Sequence, residues 1–320
     1  AILTAAVLVG VAPLIAPSAE PFDGFTDRAT AHVAEIATSP HPMGSTAIDD
    51  VRSHLIGPFA GAGLAAETQS VPAPDYFGTP GATIEVVNVL ARIEGTAGTD
   101  DAILLMAHHD TVPSTPGAND NSAPVAALLE VAGLLAAAPP TPDGVVLLTD
   151  GEEPTPRFGA SAFVADHPGY ADVRLVANFE AVGDAGPSLL VETAGPTTDL
   201  LRTLGDTAQQ PLAYSFLPAT ADLIGGAATD FDVFRDSGIP GYNFTYMRGS
   251  SIYHTPRDDL ASLNTAGMAH TGTLAATIAA LDDLPSRDGG ETPVFLTLPL
   301  GIVVQMAVWH LLVILAGAVV

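Results

Sequence analysis

The sequence predicts a three-layer α/β fold, in which a mostly parallel but mixed central β-sheet lies between two layers of helices. Two observations lead to this prediction. The run 102–106 is short and wholly apolar, as expected of a central strand that is buried on both faces, and 145–149 repeats this short buried strand. Apolar helical segments separate such runs, and strands that alternate with helices favour parallel pairing through right-handed crossovers.

The remaining elements follow along the chain. Helical spacing of apolar residues predicts helices at 27–39 and 45–61, which the prolines and glycine of SPHPMG separate. Enrichment in β-branched residues predicts strands at 64–71 and 82–93. The same criteria predict further helices at 122–138, 160–166, 197–208, 231–237 and 265–283, and strands at 175–179 and 241–246.

Composition limits the classes of function. The chain has 320 residues, 48% of them hydrophobic, which suffices for one large core. It contains no cysteine, so a metal ion would have to be bound by His, Asp and Glu side chains. The formal charge of −26 would repel a phosphate backbone, and we therefore expect no nucleic-acid partner.

Two uncharged runs suggest contact with a lipid bilayer. Residues 1–19 fit either a membrane anchor or the hydrophobic region of a signal peptide, although Pro13 and Pro17 disfavour a spanning helix. Residues 294–320 have no charged side chain, and as a helix they would extend about 40 Å, more than the roughly 30 Å of a bilayer core. We expect a transmembrane helix there rather than a buried core helix, with 285–293 as a linker.

Polar side chains follow four predicted strands in succession. The carboxyl ends of parallel strands meet at one edge of a sheet, where loops form a crevice. These side chains are His108, Asp110 and Asp120 after the first buried strand, Glu152 and Glu153 after the second, Glu180 after the third, and His254 after the last. The clustering of such ligand types predicts a metal centre.

The spacing of these residues has a chemical use. Of the adjacent Glu152 and Glu153, one can bind a metal while its neighbour accepts a proton. Asp110 can accept the free N–H of His108 and fix its tautomer, so a supporting role suits it better than metal binding. Singly, each residue has a simpler explanation; Asp120, for example, could cap the following helix. Their coincidence at successive strand ends favours the metal centre.

The ordered motifs AHHD, PGANDNSAPVAALLE, DGEE, NFEAVG and YHTPRDD resemble metallopeptidase family 28 of clan MH, whose members have a zinc-dependent exopeptidase fold. The resemblance covers about 25–284. The segments SPHPMGS, NFEA and ATDFDVFRDSGIPGYNF are similar in particular to a membrane-bound branch, the endoplasmic reticulum and vacuolar metallopeptidases. This resemblance implies an integral membrane protein with a catalytic domain at 25–284, which would lie on the extracytoplasmic side.

The resemblance also implies two zinc ions that share the bridging carboxylate of Asp120. By the same resemblance, His108 and Glu180 complete one zinc site, and Glu153 and His254 complete the other. Glu152 is then the general base, and Asp110 orients His108. The implied reaction is hydrolysis of a peptide bond next to the free N-terminus of a peptide or protein. In such a site the zinc ions lower the pKa of a bridging water and polarise the scissile carbonyl.

Two other functions stay open. Ala123 and Pro124 stand where relatives often have a glycine, and DGEE with SAPVAALLE also resembles glutaminyl cyclases, which are single-zinc acyltransferases. A catalytically inactive, receptor-like ectodomain is the other alternative. Retention of every ligand and of the base Glu152 favours the peptidase.

Several residues near the motifs have less certain roles. Asp230 and Asp232 either cap the helix at 231–237 or support the site, and the cap is favoured. Asp258 could orient His254 as Asp110 orients His108. Tyr253, with Tyr242, Tyr246 and Arg248, either lines a specificity pocket or packs a loop.

Overall fold

The computed structural model describes residues 20–153, 157–208, 211–214, 228–285, 294–298 and 302–306. Seven strands form the main sheet, in the order β1-β2-β4-β3-β5-β7-β6. These strands are β1 (Ala66–Pro74), β2 (Thr83–Ile93), β3 (Ala102–His108), β4 (Asp143–Thr149), β5 (Val173–Ala181), β6 (Leu189–Ala194) and β7 (Gly241–Tyr246). The central strands β4, β3, β5 and β7 are parallel, whereas β1, β2 and β6 pair antiparallel. The predicted mixed, mostly parallel sheet is therefore confirmed.

Helices cover both faces of this sheet. They are α1 (Phe25–Ile36), α2 (Thr46–Gly61), α3 (Ala123–Ala137), α4 (Phe158–Asp166), α5 (Thr197–Thr207), α6 (Phe231–Asp236) and α7 (Thr265–Ala279). Successive side chains of a strand point to opposite faces. Accordingly, Ile103 and Leu105 of β3 join an apolar cluster with α2, α3, α5 and α7, whereas Leu104 and Met106 join one with α4 and α6. The three layers follow from this alternation.

The predicted elements mostly agree with the structure to within a few residues. Helix α2 begins where expected, because the Ser45 side chain accepts a hydrogen bond from the Ile48 N–H at 3.2 Å. Strand β6 was not predicted. Its sequence, Leu189–Ala194, pairs antiparallel with β7 at the end of the sheet order and includes the polar pair Glu192 and Thr193, so it lacks the apolar signature of the central strands.

The expected transmembrane helix at 294–320 is wrong for the residues that the structure describes there. Val294–Leu298 and Ile302–Met306 form strands β8 and β9, which pair antiparallel. Alternation decides this outcome: Phe295 and Thr297 are buried, and the Thr297 hydroxyl accepts a hydrogen bond from the Ala213 N–H at 2.8 Å. Pro299 would also have disturbed a continuous helix.

Helices capable of crossing a bilayer are not found in the described part of the chain. The predicted N-terminal anchor at 1–19 and most of the linker at 285–293 lie outside the described residues, as do residues 307–320. The main sheet and its helices extend from Phe25 to Ala279, within the predicted domain at 25–284.

We expect a buried histidine to make the fold sensitive to acid. His270 in α7 is 1% exposed, and neither ring nitrogen has a hydrogen-bond partner among the described residues. Burial lowers the pKa of His270 from 6.5 to about 4. Because the unfolded chain binds a proton more readily, the stability that this residue contributes is complete above pH 6.5 and is lost as the pH falls towards 4.

We therefore expect His270→Leu to reduce acid sensitivity. Between pH 6.5 and 4 the wild type should lose about 3 kcal/mol of unfolding free energy more than the variant, as the change in pKa implies. Urea denaturation of both proteins at pH 7.5 and pH 4.5 measures the difference. Equal pH dependence of the two proteins would show that His270 is not the group responsible.

Candidate metal centre

The structure brings the five predicted ligands and Glu152 together at the carboxyl edge of the parallel strands. His108 is the last residue of β3, and Glu180 lies near the end of β5. Asp120 lies in the turn Ala118–Ser122, which leads into α3. Glu152 and Glu153 follow β4, and His254 lies in the loop after β7. Rigid strands thus position two ligands and loops position three.

The first group of ligand atoms is buried against the sheet. His108 Nε2 lies 3.3 Å from Asp120 Oδ1 and 3.3 Å from Glu180 Oε2. All three residues are at most 5% exposed. Burial alone would lower the pKa of His108, but the carboxylates of Glu180 and Glu152 raise it well above its ordinary value.

The second group lies closer to solvent and uses the other oxygen of Asp120. His254 Nε2 is 3.4 Å from Asp120 Oδ2 and 3.2 Å from Glu153 Oε2, and the His254 side chain is 33% exposed. Burial raises the pKa of Glu153 to about 7. Because each Asp120 oxygen faces a different histidine, this carboxylate can bridge two metal ions.

The donor set fits zinc. In each group the three ligand atoms lie within 4.8 Å of one another, and imidazole nitrogens with carboxylate oxygens are usual zinc ligands. Asp120 Oδ2, Glu153 Oε1 and His254 Nε2 are buried and form no well-aligned hydrogen bond with any described residue. Buried polar atoms without partners are costly, and a metal ion would satisfy them.

Asp110 connects the two groups. Its carboxylate lies 3.5 Å from His108 Nδ1, while its backbone oxygen is nearer to the same nitrogen, at 3.0 Å. The carboxylate also accepts hydrogen bonds from the Glu152 N–H at 3.1 Å and the Glu153 N–H at 3.4 Å. The sequence predicted only the contact with His108. Asp110 therefore also holds the loop that carries the proposed base and one ligand.

Glu152 lies beside a cation that the sequence analysis missed. Its Oε1 atom is 3.8 Å from Arg157 Nε, and both residues are less than 9% exposed. Burial raises the pKa of Glu152 well above its ordinary value. Arg157 has a positive φ of 59° and stands in no motif that would have identified it.

A buried ion pair holds the start of the same loop, and it was also missed. Asp150 is fully buried, and one of its oxygens accepts hydrogen bonds from Arg52 of α2 and from the Val87 N–H of β2, the latter at 2.8 Å. Burial raises the pKa of Asp150 to about 7, while Arg52 opposes this shift. Arg52 and Asp150 are 98 residues apart, so sequence spacing gives no signal.

The structure resolves the secondary predictions about Asp230 and Asp258. Asp230 does not cap α6 with its side chain but accepts a hydrogen bond from the Thr149 hydroxyl. Asp232 forms an ion pair with Arg235 at 2.8 Å on the same helix. The Asp258 carboxylate contacts the backbone of the Asp120 turn rather than the His254 ring.

The tyrosines named as pocket candidates separate into two kinds. Tyr242 and Tyr246 are buried, and their hydroxyls donate to the Leu200 carbonyl and to Asn119 Oδ1. Tyr253 is 40% exposed and stacks on the His254 ring, with centroids 3.7 Å apart. Of these three tyrosines, only Tyr253 lies at the solvent side of the metal ligands.

Comparison with known proteins identifies the family. Residues 88–279 match the profile of Peptidase family M28. The chain belongs to this family. Endoplasmic reticulum metallopeptidase 1 of Mus musculus is 32% identical over 176 residues, which are 54% of this chain and 20% of that protein. A vacuolar membrane protease of Eremothecium gossypii is 30% identical over 254 residues, or 74% of this chain and 25% of that protein. The chain thus spans only about a quarter or less of these relatives.

Solved structures share the fold of this M28 domain at low sequence identity. A zinc aminopeptidase from Bacillus subtilis superposes with a TM-score of 0.64 at 14% identity, covering 79% of this chain and 94% of that one. A glutaminyl cyclase from Fimbriiglobus ruber gives a TM-score of 0.65 at 17% identity, covering 83% and 98%. The profile match thus places residues 88–279 in a peptidase family, and the solved structures show that the domain has the fold of a zinc aminopeptidase.

We expect Arg52→Gln to destabilise the domain by about 3 kcal/mol, because the variant leaves the Asp150 carboxylate buried without its counterion. The double variant Arg52→Gln/Asp150→Asn removes both charges and should recover much of this loss. Thermal and urea denaturation of the single and double variants measure the effect. A double variant less stable than the single one would contradict the charge argument.

Proposed function

We propose that this protein is a membrane-anchored zinc aminopeptidase with two zinc ions per chain. The observation that carries the proposal is the position of Asp120, whose two oxygens face two separate ligand groups. His108 and Glu180 would hold one ion, and Glu153 and His254 the other. The substrates would be the N-terminal ends of peptides or proteins.

Bound zinc ions would polarise the scissile carbonyl and lower the pKa of an attacking water. The chain's own contribution is to move the proton. Glu152 adjoins a ligand in sequence yet belongs to neither ligand group, so its carboxylate is available as the general base. It would take a proton from the water and deliver it to the leaving nitrogen. The Asp110 carboxylate supports this role because it accepts the backbone N–H of Glu152.

The site would also exclude bulk water from this proton transfer. Glu152 and the two strand-borne ligands are at most 7% exposed, so solvent reaches the site mainly from the side of His254. The exposed Tyr253 ring stacks on His254 at this side. We propose that the substrate enters here, where Tyr253 offers an apolar surface to the residue next to the scissile bond.

Membrane attachment is supported by the names of the relatives and by the sequence. These relatives are an endoplasmic reticulum metallopeptidase and a vacuolar membrane protease. Residues 1–19 are uncharged, as expected of a membrane anchor. The formal charge of −26 disfavours binding to anionic lipids by electrostatic attraction alone, so attachment would need such an anchor. We propose an extracytoplasmic position for the M28 domain.

Glutaminyl cyclase activity is the second candidate. Its support is the number of glutaminyl cyclases among the structural neighbours, of which three are from Fimbriiglobus ruber, Porphyromonas gingivalis and Bacteroides thetaiotaomicron. A single-zinc enzyme would not need both ligand groups. The presence of two complete groups therefore favours the peptidase.

Glu152→Gln should retain both zinc ions and lose turnover by at least about 100-fold, because the amide cannot accept the proton. Elemental analysis and hydrolysis of aminoacyl arylamides measure the two effects. The exposed Glu94→Gln serves as a control for loss of one negative charge and should behave as wild type. Wild-type turnover in Glu152→Gln would exclude it as the base.

Zinc stoichiometry separates the two candidate functions. We expect two zinc ions in the wild type, one in Glu180→Ala, and reduced zinc content in His254→Ala, because each of these variants removes one ligand of a single group. The wild type should release amino acids from aminoacyl arylamides. One zinc ion in the wild type, with cyclisation of an N-terminal glutaminyl peptide, would instead establish the cyclase.

A further inference from the structure

Two loops that are distant in sequence meet at the metal centre. One loop precedes α3 and carries Asp120; the other follows β7 and carries His254. These residues supply two of the three ligands of the second group (Asp120, Glu153 and His254), here called the outer group, with Asp120 Oδ2 and His254 Nε2 3.4 Å apart. The first group (His108, Asp120 and Glu180) is called the inner group. Neither Asp120 nor His254 lies on a strand, so hydrogen bonds between the loops must keep this distance.

Asp258 supplies most of these hydrogen bonds. Its side chain is buried at 1% exposure. Oδ1 accepts from the backbone N–H of Asn119 at 2.8 Å and from its side-chain amide at 2.9 Å, and Oδ2 accepts from the Asp120 N–H at 3.0 Å. The Asp258 backbone oxygen also accepts from the Ala118 N–H at 3.1 Å. The carboxylate therefore holds the backbone of the bridging ligand directly.

A second contact lies at the other end of the same loop. The Ser114 hydroxyl donates to the His254 carbonyl at 2.9 Å. His254 itself has a positive φ of 55°, a conformation that a non-glycine residue adopts only when its surroundings fix it. The segment from His254 to Asp258 is thus fixed at both ends: Asp258 binds the Asp120 turn, and His254 binds Ser114 in the loop that precedes this turn.

The inner ligand group does not depend on this connection to the same degree. His108 and Glu180 belong to strands β3 and β5, which pair in the middle of the sheet. Of the inner group only Asp120 contacts the Asp258 loop, whereas the outer group has both Asp120 and His254 in the connected loops.

We propose that Asp258 is a positioning residue that fixes Asp120 relative to His254 and so sets the zinc affinity of the outer ligand group selectively. This inference rests on the two-zinc site of the proposed function. Contacts around metal ligands commonly change metal affinity about 10- to 100-fold when they are removed. Asp258→Asn replaces one acceptor oxygen with an NH₂ group, so one of the two backbone N–H groups loses its partner.

The test is a zinc titration of the full chain in metal-buffered solutions, with zinc counted by elemental analysis and with kcat and KM measured at each free zinc concentration. For Asp258→Asn we expect one zinc bound as in the wild type and the other bound at least about 10-fold more weakly. The value of kcat should fall at limiting zinc and recover at saturating zinc, with little change in KM.

The matched control is Asp259→Asn. Asp259 is the next residue in the loop, is exposed, and accepts the Ala261 N–H at 3.0 Å as the cap of a short helical turn. Asparagine caps about as well as aspartate, so this variant makes the same change of charge without touching the Asp120 turn. It should bind both zinc ions as the wild type does.

The outcomes are distinct. Unchanged affinity for both ions in Asp258→Asn overturns the inference, and so does an equal weakening of both ions, which would indicate general loss of structure. Should Asp258→Asn fail to fold by circular dichroism, Asp258→Glu, which moves the charge by one methylene, is titrated instead, and wild-type affinity in that variant overturns the inference. Fewer than two zinc ions in the wild type would refute the two-zinc proposal itself.

Discussion

Buried negative charge at one edge of the sheet is the constraint on which the rest of the site depends. Asp110, Asp120, Glu152, Glu153, Glu180 and Asp230 are gathered there with little exposure to water. Among the described residues the cation closest to the proposed base is Arg157, and two histidines are the other basic groups in direct contact with these acids. Burying so many carboxylates is unfavourable unless cations compensate them. Two divalent ions would supply that compensation, which is why ligand geometry and electrostatics lead to the same conclusion.

The loops that carry these acidic residues are held by hydrogen bonds from their backbone N–H groups to buried carboxylates. Asp110 accepts the backbone N–H groups of Glu152 and Glu153, and Asp258 accepts those of Asn119 and Asp120. Each arrangement satisfies a loop N–H and directs a side chain at the same time, which a buried loop requires because its backbone has no strand partner. The loops of the site therefore have defined positions although they lack regular secondary structure.

The two ligand groups differ in how they are supported. The inner group takes His108 and Glu180 from adjacent strands, so its geometry is that of the sheet. The outer group takes Glu153 and His254 from loops and is the more exposed of the two. In a site of this kind the sheet holds the inner ligand group rigidly, whereas the geometry of the outer, substrate-facing group depends on individual hydrogen bonds. Sequence differences in these loops can then alter the geometry of the outer group without altering the fold.

The sequence by itself predicted the fold class, the central strands and the candidate ligand set. Buried parallel strands are mostly apolar, and side chains at their carboxyl ends meet at one edge, so position in the chain indicated the candidates. These are His108, Asp110, Asp120, Glu152, Glu153, Glu180 and His254. Their separate roles as ligands, base and supporting residue are what the family resemblance implies. Only the tertiary structure showed the ion pair of Arg52 with Asp150, the position of Arg157, the contact of Asp258 with the Asp120 turn, and strands in place of a helix at 294–298 and 302–306. Most of these features depend on contacts between segments far apart in the chain, such as that of Thr297 with Ala213, and local pattern does not show which distant segments meet.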